Sequence, residues 1–320
     1  MTPTATSTER LTLVVADVTT QADDVIAITF RAPDGSDLPS WEPGSHIEIR
    51  LPSGLSRQYS LCGNPADRSS YTVAVLLEKG GRGGSRELHE IAAEGAELSV
   101  RVPKNDFPLE PAGSYLFVAG GIGITPMIPM IDDAESRGAS WQLVYGGRTA
   151  TTMAYREVLS AKGDTVDLWL EDERGYPDLP SILSAVPEGT LVYTCGPSAM
   201  IDAVRDEHAR HDHLGTFHFE RFAASGPVDT SGGSFEVELR SSGRVLTIPE
   251  GRPILEVVRD VLPDQPFSCE EGYCGECETG VLEGEPDHRD DYLTPDEQET
   301  NEVMMICVSR CKGARLVLDL

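Results

Sequence analysis

The sequence predicts a multidomain α/β-plus-β protein: an antiparallel β-barrel, then a parallel α/β domain, then a small C-terminal domain organised around cysteine. Three observations predict it. The first hundred or so residues read as strands and turns; from Tyr115 the pattern becomes strand, glycine turn, helix; and Cys269, Cys274, Cys277 and Cys307 follow the spacing C-x₄-C-x₂-C with a distant fourth. At 320 residues the chain is long for one core, and two or three domains of ordinary size are expected.

In the first region, Leu11 to Val18 and Val25 to Phe30 alternate or run apolar. The turn Trp41-Glu42-Pro43-Gly44-Ser45-His46 leads into Ile47-Glu48-Ile49, and Tyr71 to Leu77 is a further β-rich run. One short helix is expected around Ser85 to Ala92. After Pro108 to Gly113, Tyr115 to Ala119 reads as a buried strand, Gly120 to Pro126 as the turn and Met127 to Ser136 as a helix. Trp141 to Tyr145, Thr165 to Leu170 and Leu191 to Thr194 supply further strands. Such alternation favours a parallel sheet with helices on both faces. Ala223 to Gly233, with Ser-Gly-Pro and Ser-Gly-Gly, reads as a linker. Beyond it, Phe235 to Leu239 and Arg244 to Ile248 predict a hairpin, and Pro253 to Val261 a helix leading to the cysteines. The expected boundaries are 1–108 for the barrel, 109–225 for the α/β domain, 226–234 for the linker and 235–320 for the C-terminal domain.

The cysteine spacing is that of a plant-type 2Fe-2S cluster, so the chain is expected to move single electrons. Gly272 and Gly275 free the backbone to wrap the cluster and aim N–H groups at sulfur. Structural zinc sites pair two C-x₂-C knuckles, and only one such pair exists here. A disulfide framework suits a small secreted chain; this one is long and opens with the polar Met1-Thr2-Pro3-Thr4 stretch. Cys311, four residues after Cys307, competes with it as fourth ligand. Cys62 and Cys195 read as buried small apolar residues.

Apolar residues make up 39% of the chain, no run is long enough to cross a bilayer, and seven cysteines without a signal segment point to a reducing cytoplasm. The formal charge of −27 argues against a nucleic-acid partner. From Phe235 to Leu320 there are 20 Asp and Glu against 8 Lys and Arg, a net of −12. A protein partner with a basic docking patch would be steered toward that segment.

Two further motifs carry chemistry. Arg57-Gln58-Tyr59-Ser60 ends a strand, with Arg57 and Tyr59 on one face. Gly81-Arg82-Gly83-Gly84-Ser85 precedes the short helix and offers backbone N–H groups and a guanidinium to an anion. Together they describe a flavin phosphate site. The turn Gly120-Gly121-Ile122-Gly123-Ile124-Thr125-Pro126-Met127 lets backbone approach a pyrophosphate, with Pro126 where the dinucleotide fingerprint has its last glycine. Cys195-Gly196-Pro197 follows another strand and opens another helix. Two such strand ends can lie side by side at the C-terminal edge of one sheet, where α/β folds bind ligands.

Together with Asp287-His288-Arg289-Asp290 and Cys307-Val308-Ser309-Arg310, these motifs resemble the phthalate dioxygenase reductase family over nearly the whole chain. The resemblance implies a flavin barrel, a nucleotide domain and a C-terminal plant-type ferredoxin (β-grasp) domain, with FMN, NADH and a 2Fe-2S cluster as cofactors. It also implies a terminal oxygenase as partner. Residue by residue, Arg57 and Ser85, with Gln58, Arg82 and Gly84 around them, would hold the FMN phosphate region. Tyr59 would pack on the isoalloxazine and Ser60 hydrogen-bond near its N5. Gly121, Gly123, Thr125 and Pro126 would form the nicotinamide-nucleotide pocket, joined by Cys195, Gly196 and Pro197, with Cys195 near the hydride and Phe222 covering the flavin. The family commonly has alanine at the position of Cys311, which favours Cys269, Cys274, Cys277 and Cys307 as ligands.

The expected activity is NADH-dependent reduction of a terminal oxygenase, either a Rieske non-haem iron enzyme or O-demethylase, or else a haem-thiolate monooxygenase. A redox-sensing binding module and a reductase of free flavin are the competing classes. NADH over NADPH rests on the resemblance, since Arg148 would suit a 2′-phosphate or plain solvent equally. A monomer suits transient docking.

Overall fold

The computed structural model of the chain describes residues 9–224 and 226–320; the polar opening Met1 to Thr4 and Ser225 of the expected linker lie outside the described residues. The chain divides into two compact units between Glu220 and Arg221. The first begins with seven antiparallel strands: β1 (Arg10–Ala22), β2 (Val25–Arg31), β3 (Ser45–Arg50), β4 (Ser56–Ser60), β5 (Tyr71–Leu76), β6 (Glu97–Arg101) and β7 (Lys104–Asn105). Their order is β4-β3-β6-β1-β2-β5, with β7 paired to β3. An antiparallel bridge from Leu61 to Val73, just beyond β4, joins the two edges and closes the ring. Alternation explains the interior: Leu13 and Val15, Ile28 and Phe30, Ile47 and Ile49, and Val73 and Val75 all point into one core. Each such side chain contributes roughly 1.5–3 kcal/mol by leaving water. Helix α1 (Gly84–Ile91) arrives where expected and packs through the fully buried Leu88.

The rest of the first unit is a parallel sheet of β8 (Ser114–Gly120), β9 (Ser140–Gly147), β10 (Val166–Leu170), β11 (Leu191–Cys195) and β12 (Phe217–Glu220), ordered β10-β9-β8-β11-β12. Chain direction across the sheet reverses between β8 and β11, so their C-terminal ends form the switch point where such folds take ligands. The connecting helices are α2 (Met127–Ser136), α3 (Arg156–Ser160), α4 (Glu171–Arg174), α5 (Leu179–Ala185) and α6 (Ser198–His208). Strand β12 was not anticipated. Four residues, Phe-His-Phe-Glu, give too short a pattern to separate from loop.

In the second unit, β13 (Phe235–Leu239) and β14 (Arg244–Ile248) form the expected hairpin, followed by α7 (Ile254–Arg259). Then come β15 (Glu278–Glu283), β16 (Pro286–Asp287), α8 (Pro295–Thr300), β17 (Val303–Met305), β18 (Arg310–Cys311) and β19 (Arg315–Leu318). The mixed sheet runs β14-β13-β19-β15-β17, with β13 and β19 parallel. Ile254, Leu255, Val257 and Val258 bury α7 in the core that contains Cys277 and Cys307. Thr294 and Glu297 cap α8 reciprocally, worth about 1 kcal/mol. Barrel, parallel sheet and cysteine-bearing grasp are the architecture the sequence predicts.

Candidate functional site

Two sites are built by different means. In the first unit the switch point is an interlock of main chains. The turn after β8 is a 3-10 helix, Gly121–Ile124, and a Cβ on Gly123 would stand 2.2 Å from the Cys195 carbonyl oxygen and 2.7 Å from the Gly196 nitrogen. A Cβ on Gly196, whose φ of +155° already suits glycine, would meet the Gly120 backbone at 2.9 Å. One on Gly120 would strike Pro197 at 2.7 Å. Gly120, Gly123 and Gly196 are therefore required by close approach, Gly121 only by its left-handed φ of +54°, and β8 and β11 run side by side with Ala119 opposite Cys195. Thr125 is buried and its hydroxyl donates to the Ile122 carbonyl at 3.0 Å, closing the turn, and Pro126 caps α2.

Barrel strand β4 meets this edge. Its last residue, Ser60, is buried and donates to Glu220 Oε2 at the long distance of 3.5 Å. Glu220 ends β12 in register with Cys195 of β11. Burial first, and then the charge of Asp106, push the Glu220 carboxyl up to about 8, so it carries a proton at neutral pH. Cys195 is fully buried, and burial followed by the neighbouring Glu220 raises its thiol well above the ordinary value. The edge thus presents a neutral thiol, a neutral acid and a hydroxyl. Glu220 went unselected in the sequence although it sits in the quoted Phe219-Glu220-Arg221-Phe222. Its partial burial follows from sheet order, and its only local signal is an acid ending an aromatic strand.

Along β4, Tyr59 packs against the barrel core, and burial raises its phenol. Arg57 lies across Gly84, where a Cβ would fall 2.7 Å from its Nε. That contact sets the guanidinium at the first residue of α1, behind the left-handed Gly83. Cation and free helix N–H groups together form an anion cradle. Ser85 Oγ accepts from the Glu78 amide at 3.0 Å, pinning the glycine loop that carries the exposed Arg82. Gln58 is half-buried opposite Glu48. The lone histidines behave structurally: His89 bonds the Val75 carbonyl and His218 stacks on Tyr193 at 4.5 Å.

In the second unit, Phe222 is half-buried, two residues beyond β12. The cysteine loop brings four sulfurs together. Cys269 is within thiol hydrogen-bonding reach of Cys274 and Cys307, and Cys307 also of Cys277. These bonds drive the Cys269 thiol down and the Cys274 and Cys307 thiols up. Cys269 Sγ also accepts from the Glu271 amide at 3.3 Å. Gly272 and Gly275 both have left-handed φ, +79° and +75°, and a Cβ would strike Val308 at 2.6 Å and Tyr292 at 2.4 Å respectively. Among the described residues no three His, Cys, Asp or Glu side chains gather around a single ion; a binuclear cluster asks for two thiolates on each iron instead. Four convergent cysteines, an amide aimed at sulfur and glycine turns fit that group. Cys311 stands apart on β18, opposite Pro286 with Asp287 and Glu285 near it, and burial raises its thiol.

Asp290 braces the loop. Its carboxylate accepts from Ser309 Oγ at 3.2 Å and from the Leu293 amide at 2.9 Å, while the Asp291 amide donates to the Gly272 carbonyl at 3.0 Å.

A family profile for the 2Fe-2S iron-sulfur cluster binding domain matches residues 237–312. The carnitine monooxygenase reductase subunit of Escherichia coli K12 is 40% identical over 96% of this chain and 97% of its own. A solved phthalate dioxygenase reductase, described as modular and as transferring electrons from pyridine nucleotides to 2Fe-2S, matches with a TM-score of 0.75 and 38% identity. The match covers 97% of this chain and 98% of that one. An intact type IV self-sufficient cytochrome P450 monooxygenase matches with a TM-score of 0.84 and 40% identity over 100% of this chain. This chain spans only 43% of that fused protein. With three such modules in the same order and identity near two residues in five over nearly all of the chain, the protein belongs to the phthalate dioxygenase reductase family of oxidoreductases.

Proposed function

We propose that this chain is the reductase component of an oxygenase system, passing electrons from NADH through FMN and a 2Fe-2S cluster to a terminal oxygenase. The observation that carries the reading is the meeting of β4 with the β8–β11 switch point, where Ser60, Cys195 and Glu220 converge. FMN, when bound, accepts a two-electron hydride and releases electrons singly, as a one-electron cluster requires. Arg57 and the start of α1 hold its phosphate, with Gln58, Arg82 and Ser85 around it and Gly84 leaving room for the guanidinium. Tyr59 would pack against its ring, and Phe222 is the aromatic that the resemblance assigns to covering the flavin. Gly121, Gly123, Thr125, Pro126, Gly196 and Pro197 shape the nucleotide pocket, where Cys195 borders the hydride path as a neutral thiol. Ser60 and the protonated Glu220 hold a proton at that edge. Cys269, Cys274, Cys277 and Cys307 bind the cluster.

The domain limits 1–108, 109–225 and 235–320 follow from this division of labour. The net of −12 from Phe235 to Leu320 supports an oxygenase partner with a basic patch, and transient docking supports a monomer. No described helix is long and apolar enough to cross a membrane; seven cysteines with no disulfide among the described residues support a reducing cytoplasm. The likeness to the fused monooxygenase favours a haem-thiolate enzyme as second reading for the partner.

The test is spectroscopic. Purified protein should be yellow-brown, bleach with NADH and reduce a one-electron acceptor steadily. A colourless, iron-free preparation after anaerobic reconstitution would sink the proposal.

A further inference from the structure

The segment between β12 and β13 has the composition of a free tether, yet its second half is fastened. Arg289 Nη1 donates to the carbonyls of Asp229 and Ser231, each at 2.8 Å, while its Nε and Nη2 grip Asp287 at 2.9 and 2.6 Å. Arg310, almost fully buried, donates through Nη2 to the Gly233 carbonyl at 3.1 Å and through Nη1 to the Arg252 carbonyl at 2.9 Å. Its guanidinium also lies 5.0 Å from the centre of the Phe235 ring. Asp229 adds a turn of its own by accepting from the Ser231 amide at 2.8 Å, and it stands 3.6 Å from Arg289. Gly232 has a φ of +122°, and a Cβ there would press on Arg310 Nε at 3.4 Å. Three successive alternate carbonyls are thus held by two guanidiniums from the cluster-bearing unit.

We infer that Arg289 and Arg310 are positioning residues that strap 229–233 to the cluster-bearing unit and so set the free length of the tether between flavin and cluster. This rests on the proposed function, because a tether matters only if electrons cross it. The strap withdraws 229–233, five of the fourteen residues that join β12 to β13, from the length of chain that can extend. Extended reach shortens by about 17 Å. Effective concentration scales with roughly the −3/2 power of tether length, so strapping raises the encounter of the two centres about twofold. Charge-assisted bonds to carbonyls need no carboxylate partner, so the strap should resist salt better than a surface ion pair.

The test uses the holoprotein and two variants that break the strap from opposite sides, Arg289→Gln from the cluster unit and Gly232→Val from the tether. Arg289→Lys serves as the conservative rescue. Limited subtilisin digestion, with cuts mapped by mass spectrometry, should show cleavage within 229–233 faster by about tenfold in both variants and near the parent rate in Arg289→Lys. Rapid mixing with NADH should show the cluster reduced about twofold more slowly, with the cluster's own absorption and paramagnetic spectra unchanged. Unchanged cleavage in both variants overturns the strap. Faster cleavage with an unchanged or faster reduction rate overturns its role in setting the tether. A parent protein whose flavin does not bleach with NADH overturns the functional reading and leaves the digestion result standing.

Discussion

At the sheet edge, Ser60, Cys195 and Glu220 come from three strands, the first and last of them 160 residues apart. In the cysteine loop, three of the four proposed ligating positions fall between Cys269 and Cys277, with Cys307 the only distant one. The edge therefore depends on sheet order and main-chain contact, whereas the loop depends on local spacing and left-handed glycines. Damage should spread differently in the two. A loop variant removes one function cleanly, and an edge variant costs fold stability as well.

The largest effect should come from Cys307→Ser. It is expected to abolish cluster absorption and acceptor reduction while leaving NADH-dependent flavin bleaching intact, and Cys311→Ser should change neither; the reverse pattern would reassign the fourth ligand. Gly123→Val comes next. Driving a side chain into the Cys195 carbonyl should cost at least about 3 kcal/mol of stability, read as a lowered melting temperature of the flavin-bearing unit and weakened NADH binding. A variant that melts like the parent would mean that the two turns are not interlocked.

Glu220→Gln tests the buried acid through pH. The folded-state value, about 8, lies above the ordinary 4.5, so the native state keeps a proton that the unfolded chain releases. Parent stability should then fall as pH rises from 4.5 to 8. Glutamine cannot lose a proton, so urea midpoints of variant and parent should agree at pH 4 and diverge toward pH 9. The variant should end on the order of 5 kcal/mol ahead; parallel midpoints at every pH would show that Glu220 stays ionised. Ser60→Ala, which removes one hydrogen bond worth about 1 kcal/mol, should slow flavin bleaching about fivefold. A rate equal to the parent's would remove Ser60 from the hydride edge.

Much of this was legible beforehand, for physical reasons that differ by residue. The helix at Met127–Ser136 and the hairpin of Phe235–Leu239 with Arg244–Ile248 carry long enough periodicity to locate to the residue. The cysteine spacing encodes its own geometry. Glu220 was illegible because a four-residue strand has no readable period and its partial burial comes from β11 and the barrel. The strapped tether was illegible for another reason: Ser-Gly-Gly composition describes an isolated chain, and its partners Arg289 and Arg310 lie about 60 to 80 residues further on.

The interlock of Gly120, Gly123 and Gly196 has a bearing on engineering. Contact between bare backbones is indifferent to the chemistry of lining side chains, yet it tolerates no added carbon at these three points. The two turns are therefore a single transplantable cassette: a graft that alters nucleotide preference must carry both or neither.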